Sequence, residues 1–398
     1  MANRRNTSAR ATDFAAKRPW RLVPGQPEVR QTVGAVYHCL QLSLRLTTNF
    51  FTIEGKTLYY QRMDTKTKEL LEHVERDGIN AGFVSRLAKT MGLSRQTVSA
   101  RLRKMVDDDL VVATGTGAGR RYWLKTTIKR RWTFDLKDLS EDIVFRETVA
   151  PLIADLPDNV RSIWHYGMTE MVNNAIDHSE GTSLVVDFWR NALNCGMVIS
   201  DDGEGIFHRI QRLMGLYDAR EAILELAKGK LTTDPTRHSG EGVFFTSRVF
   251  DHFLIRSRDL LLAHDDGQDD VLSERPKFQS NGTLVDMSIA NDSPRTTKEV
   301  FDRFAAPDEF SFAKTIVPVR LARHEGETLV SRSQAKRLVL RFERFKIVIL
   351  DFSGVTEIGQ AFADEVFRVF ATAHPDVELI PTHASPAVID MIQRARSG

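Results

Sequence analysis

Cysteine is scarce in this chain: two residues, Cys39 and Cys195, in 398. That excludes a disulfide framework and a four-cysteine zinc site, and it fits a reducing compartment. Long apolar runs are missing too. The longest, such as Lys346 to Phe352 (KIVILDF), fall far short of the roughly 20 residues a membrane helix needs, and the N-terminus has no apolar signal core. The expectation is a cytoplasmic protein without a membrane partner. A composition of 42% hydrophobic and 27% charged residues excludes a mainly disordered or collagen-like chain. Net charge is nearly absent at +2, but the balance is local: residues 1–132 carry 25 Lys+Arg against 11 Asp+Glu, and the remainder 30 against 42. A basic N-terminal third on an acidic body is the pattern of a nucleic-acid-binding module joined to a different machine.

Residues 1–62 are polar, Arg-rich and without hydrophobic period at their start, so a largely disordered basic segment is expected, with Met63 an alternative start. From Asp64 the pattern sharpens. Leu70, Leu71 and Val74 share one helical face, Ala81 to Thr90 form a second helix, and Gly92 marks a turn before Ser94, placed to cap a third helix, Arg95 to Val106. On that helix Val98, Leu102 and Met105 face inward. Gln96, Ser99 and Arg103 then point outward with Arg95 and Arg101 on the flanks, side chains suited to base edges and phosphates. The strand-like LVVA and YWLK flank a Gly-rich tip ending in Arg120 and Arg121. This segment, 63–132, resembles the winged helix-turn-helix family, which implies DNA as a partner; a helical trio that binds protein is the plainer alternative.

Four short motifs follow in order. In His165 to Ser179, Trp164, Met168, Met171 and Ala175 make a core stripe beside a polar one of Glu170, Asn174 and Asp177. A carboxylate one turn before a carboxamide lets the Asn oxygen hold Mg²⁺ while the Glu orients a hydroxyl or water, although a lone helix with this face could be merely amphipathic. Strand-like MVIS runs into Asp201-Asp202-Gly203-Glu204-Gly205, where a carboxylate can accept from an exocyclic amine and glycines allow a tight turn. Gly240 and Gly242 open a further helix, an arrangement that receives phosphate on backbone N–H groups. Asn281-Gly282-Thr283 leads into another strand, with Thr283 placed to support Asp201.

This order resembles the GHKL ATP-binding fold of gyrase, Hsp90, MutL and histidine kinases, over residues 140–293. The resemblance implies an α/β sandwich with ATP and Mg²⁺ as cofactors. Glu170 matches the catalytic carboxylate, Asn174 the metal ligand, Asp201 the adenine-recognising carboxylate, Gly203 and Gly205 the turn, Gly240 and Gly242 the phosphate loop, and Thr283 the adenine support; Asp177 is added from the polar stripe. Locally the segment is similar to anti-sigma-factor serine kinases, with Thr232-Thr233-Asp234-Pro235 before Arg237-His238-Ser239-Gly240. His238 stands where those kinases usually have Arg, so the charge on a transferring phosphoryl depends on Arg237 taking that place; Arg237 and His238 are both candidate nucleotide-binding residues. No dimerisation helix with a phosphoacceptor histidine is evident, against a conventional sensor kinase.

Residues 296–398 alternate strands and helices. Leu350-Asp351-Phe352-Ser353-Gly354-Val355-Thr356, with a helix opening at Gly359, resembles STAS domains and more specifically the uncharacterised STAS-like family. Where an antagonist STAS domain has a phosphorylatable Ser, this chain has Ala361; the Asp364-Glu365 pair is a candidate docking face for a protein partner. The expected fold class is thus a multidomain α+β and α/β protein: winged helix, GHKL sandwich and small STAS-like domain. The expected function is an ATP-controlled DNA-binding regulator, possible as a homodimer, in which Mg·ATP orders a lid from Phe207 to Ser239. The alternatives are a serine/threonine protein kinase acting on a separate partner and an ATP-gated dimer clamp.

Overall fold

The computed structural model describes residues 63–231, 240–265, 281–306, 311–323 and 327–397, and the backbone of 271–274. Three helices come first: α1 (Thr65–Asp77), α2 (Phe83–Thr90) and α3 (Arg95–Asp107). The Asp64 side chain caps α1, accepting from the backbone N–H of Lys66 and Thr67, and Ser94 caps α3, accepting from Thr97 at 3.1 Å. Each cap satisfies donors that have no partner inside the helix. An antiparallel hairpin follows, β1 (Val111–Thr114) and β2 (Arg121–Leu124). Leu71, Val74, Phe83, Val98, Leu102 and Tyr122 bury together as the core of this part.

The chain then runs straight on into β3 (Ile128–Asp135), the edge of a seven-stranded sheet. That strand passes through Trp132, where the sequence pattern had suggested the end of the reader, so the two parts are spliced at Lys125–Thr127. Beyond it come α4 (Glu141–Thr148), α5 (Asp158–His178), β4 (Ser183–Arg190), β5 (Asn194–Asp201), α6 (Ile206–Met214), α7 (Ala219–Lys228) and α8 (Gly242–Val249). The remaining strands are β6 (His252–Ser257), β7 (Leu260–Asp265), β8 (Val271–Glu274) and β9 (Thr283–Ala290). The sheet order is β3-β4-β5-β9-β6-β7-β8, with every pairing antiparallel. Alternation places Val186 and Phe188, Met197 and Ile199, and Val285 and Met287 on one buried face. Against it lies α5 through Trp164, Met168, Met171 and Ala175, the stripe expected from its 3.6-residue period. Trp164 packs edge-on to Phe188 and Phe250 and points its Nε1–H at Cys195 Sγ, 3.1 Å away.

After α9 (Thr297–Phe304) a second, three-stranded parallel sheet is formed by β10 (Lys314–Pro318), β11 (Ile347–Asp351) and β12 (Glu378–Thr382). Its helices are α10 (Arg332–Val339), α11 (Gln360–Asp364, continued by a π-helical stretch Glu365–Phe370) and α12 (Pro386–Ser397). The architecture is therefore mixed α/β with several sheets. Both larger sheets share one hydrophobic core, bridged by Phe244 against Phe304 and Phe312, and Phe312 against Phe345, at ring separations of 4.7–5.4 Å. Of the candidate docking pair Asp364-Glu365, Asp364 is engaged by Arg368 and, at 3.6 Å, by Arg332.

The turn between β4 and β5 carries Leu193 into the core of the N-terminal helices, where it is 7% exposed. Beside it Asn194 donates to Glu75 at 2.7 Å, and Lys68 pairs with Asp292 at 2.5 Å. Leu193→Ala, which removes a buried side chain at a cost of about 2–5 kcal/mol, should separate the melting of residues 63–125 from that of the rest. Calorimetry checks this: one transition, unshifted from wild type, would mean that Leu193 does not hold the two parts together.

Candidate functional site

The end of β5 meets the start of β9 and the end of α5 at very short range. Gly203 and Gly282 make this possible, because a Cβ on Gly203 would sit 2.0 Å from the Ser179 carbonyl oxygen and one on Gly282 2.0 Å from that of Asp201. The turn after β5 is thereby pressed against two neighbouring backbones, and Gly205, at φ +89°, completes it. Asp202 faces the other way and ties down the start of β4, accepting from Thr182 and Ser183 N–H at 2.7 and 2.9 Å.

Asp201 is the group that the turn presents. Its Oδ1 accepts from the backbone N–H of Gly203 at 2.9 Å and of Thr283 at 3.1 Å, and the Thr283 side chain also bonds the carboxylate. Thr283 Oγ1 accepts in turn from the N–H of Ile206 at 3.0 Å, locking the start of α6 to the same corner. Burial pushes the Asp201 carboxyl above the usual aspartate range, against the two backbone bonds that pull it down.

A cavity of about 350 Å³ opens from this corner. Its apolar wall includes Ile199, Ile255 and Val285, from three adjacent strands. Glu170 and Asn174 line it from α5, Gly240 and Gly242 from the start of α8, and Asp201 and Thr283 from the strand ends. These six sequence candidates are brought together. The N-terminus of α8 comes against the Glu170 carboxylate so closely that a Cβ on Gly242 would lie 1.9 Å from Oε2. Among the described residues the buried Asn174 amide nitrogen has no hydrogen-bond partner, an orphaned donor suited to an acceptor oxygen of a ligand. Tyr166, one turn before Glu170, has its hydroxyl pushed well above the ordinary range, by burial first and then by Glu170 and Glu241. Burial likewise raises the Glu241 carboxyl, opposed by Lys230.

Other expectations fare differently. Asp177 does not line the cavity; His178 and Asn173 do. Arg237 and His238, with the rest of 232–239, lie outside the described residues. Sequence reasoning missed Arg209, which enters the wall from α6 and is held by Glu180 and Glu204 at 2.8 and 3.0 Å; its place four residues after Gly205, on the first turn of an amphipathic helix, was the available signal. It also missed α7, whose Leu226 forms part of the wall. Of the stretch from Phe207 to Ser239 expected to form a lid, α7 is buried along almost its whole length, and 232–239 lie outside the described residues.

On α3, Val98, Leu102 and Met105 are buried as expected, while Arg95, Gln96 and Arg103 are exposed and Ser99 and Arg101 half-buried. Arg120 and Arg121 are exposed beside the hairpin tip, the former over the Tyr122 ring.

Because the folded state holds the Asp201 proton more tightly than the unfolded chain does, ionisation of this group at neutral pH costs stability. Asp201→Asn keeps an oxygen for the two backbone donors and removes the buried charge. The ligand-free variant should melt at or above the wild-type temperature at pH 7, and the gap should close as pH falls through the Asp201 pKa. Marked destabilisation at pH 7 would make Asp201 a structural anchor.

Among the described residues no helix is long and apolar enough to cross a membrane. No curated protein matches the chain. Residues 334–388, from α10 to the start of α12, match the STAS-like domain of unknown function (DUF4325), so the C-terminal part of this chain carries a STAS-like domain.

Proposed function

We propose that the chain is an ATP-dependent, DNA-binding regulator, with a GHKL-type nucleotide site between a winged-helix reader and the STAS-like domain. The observation that carries this is the half-buried carboxylate of Asp201, held by two backbone donors in a cavity also lined by Glu170, Asn174 and the start of α8. A carboxylate in an apolar wall suits an exocyclic amine, and the wall residues Ile199, Ile255 and Val285 suit the faces of a planar base. The N-terminus of α8 offers backbone N–H groups and the positive end of its dipole to phosphates.

The residues fit Mg²⁺ and ATP. Asn174 would supply the metal ligand; the bound ion would neutralise phosphate charge and orient the terminal phosphoryl group. Glu170 would hold and polarise a water or hydroxyl for attack. The exposed face of α3 with Arg95, Gln96 and Arg103 supports base and phosphate contacts, and Arg120 and Arg121 support phosphate contacts at the wing. Nucleotide would control DNA occupancy by binding one arrangement of reader and sheet better than another. Ala361 offers no hydroxyl where antagonist STAS domains are phosphorylated, so this domain would be a partner-binding or regulatory element and not the acceptor.

Calorimetry with Mg·ATP tests the site. Asp201→Asn should lose at least about 1.5–3 kcal/mol of binding, the worth of a charge-assisted hydrogen bond. Glu170→Ala should bind and fail to turn over, and Asn174→Ala should weaken binding only when Mg²⁺ is present. Anisotropy of labelled DNA tests the switch: a non-hydrolysable analogue and ADP should give affinities differing about 5- to 150-fold. Equal affinities in all nucleotide states would remove the switch, and transfer of labelled phosphate to a protein would replace it by a kinase.

A further inference from the structure

The end of α7 and the two residues after it are gripped by the C-terminal domain. Lys228 is fully buried and donates through Nζ to Glu225 at 2.5 Å and to the carbonyl oxygens of Arg337 and Leu340 at 3.0 and 2.9 Å. Arg341, itself buried, donates through Nη1 to Glu225 Oε2 and through Nη2 to the Gly229 carbonyl, both at 2.7 Å. Thr315 donates to the Lys228 carbonyl at 2.7 Å, and Arg344 to that of Lys230 at 3.1 Å. Three successive carbonyls, 228 to 230, thus take their bonds from the other sheet's domain. The same segment shapes the cavity: Leu226 and Leu231 line it, and the Leu231 N–H donates to Gly240 at 3.0 Å, beside Gly242 and Glu170.

We propose that the C-terminal domain braces one wall of the nucleotide site from behind, with Arg341 the positioning residue that sets Leu226 and Leu231 against the bound nucleotide. This rests on the nucleotide reading of the cavity. Simple adhesion between two domains does not need these residues. A buried pair of cations sharing one carboxylate is costly to desolvate, and apolar side chains of similar volume would hold the surfaces together as well or better. What the charges add is direction: Arg341 can reach Glu225 and the Gly229 carbonyl together only when the helix end and the C-terminal domain are in one register. Whatever draws that domain away takes Arg341 from Glu225 and two carbonyl acceptors from Lys228 and alters the wall, so the domain's own ligand and the nucleotide become linked.

Hydrogen exchange and nucleotide affinity on the full chain decide the matter. In ligand-free Arg341→Met, amides of 226–231 and 240–245 should exchange faster, and Mg·ATP should bind about tenfold more weakly, within the usual range of coupled sites. Arg341→Lys, which keeps the charge but not both contacts, should fall between. Arg344→Ala removes an exposed side chain, leaves no buried charge behind, and should shift both readouts the same way by a smaller factor; it decides alone if Arg341→Met does not fold. Faster exchange confined to 311–397, or wild-type Mg·ATP affinity in the folded variants, would overturn the proposal. The expected exchange pattern in a chain that binds no Mg·ATP would reject the nucleotide and leave the positioning of the wall in place.

Discussion

The close approach of three backbones at Asp201 is the constraint on which the rest of the site depends. The end of α5, the turn after β5 and the start of β9 come together where Gly203 and Gly282 leave no room for side chains. That approach brings two N–H groups onto one oxygen of Asp201 and so fixes the carboxylate before any ligand arrives. The cost is a buried charge. It is a cost the fold could avoid with an apolar residue, and groups held in this way concentrate where a ligand supplies the missing interaction. The opposite end of the cavity is governed by a second approach, Gly242 against Glu170. Between the two, α5 spans the cavity, and the buried stripe from Trp164 to Ala175 determines how Glu170 and Asn174 are aimed.

Two contacts around this centre differ greatly in stiffness. The C-terminal domain meets α7 through fully buried charges, and the aromatic bridge from Phe244 to Phe345 makes the two larger sheets share one core. Separating them would expose ions that had been paired out of water, an expensive step. The helices at the N-terminus are held more lightly, by Leu193, by Asn194 on Glu75 and by the Lys68–Asp292 pair, whose side chains are 38% and 37% exposed.

Much of this was legible in the sequence where a residue's role is local. Ser94 caps its helix, Val98, Leu102 and Met105 face inward, and the α5 stripe lies where its period places it. The glycine and aspartate motifs marked the corner at Asp201 because tight turns demand particular residues. What escaped was set by distant partners. Strand β3 (IKRRWTFD) reads as the basic end of the reader because its outward residues are Lys and Arg, as suits an edge strand; its pairing with β4 depends on residues some 50 positions away. Helix α7 (AREAILELAK) falls inside the stretch from Phe207 to Ser239 expected to form a lid, and nothing local in it marks Glu225 and Lys228 as buried. They are buried only because Arg341, over a hundred residues later, arrives to meet them.

The difference in stiffness indicates where a nucleotide could change the molecule. A partly exposed ion pair contributes about 0–1 kcal/mol, and burial of one leucine roughly 1.5–3 kcal/mol. The N-terminal helices are thus docked by a few kilocalories per mole, the scale on which ligands couple to distant sites, about 1–3 kcal/mol. The buried Glu225 cluster lies well above it. Two routes reach that lighter contact from the site: β5, which begins at Asn194 beside Glu75 and ends at Asp201, and β3, which continues the hairpin into the sheet after three residues. An interior strand such as β5 passes a displacement of its end along its length, because ladder bonds tie it to a neighbour on each side, β4 and β9; the edge strand β3 is tied to β4 alone. In the proposed switch, therefore, the C-terminal domain holds the site's geometry while the response to nucleotide falls on the reader, the only described neighbour bound weakly enough to move.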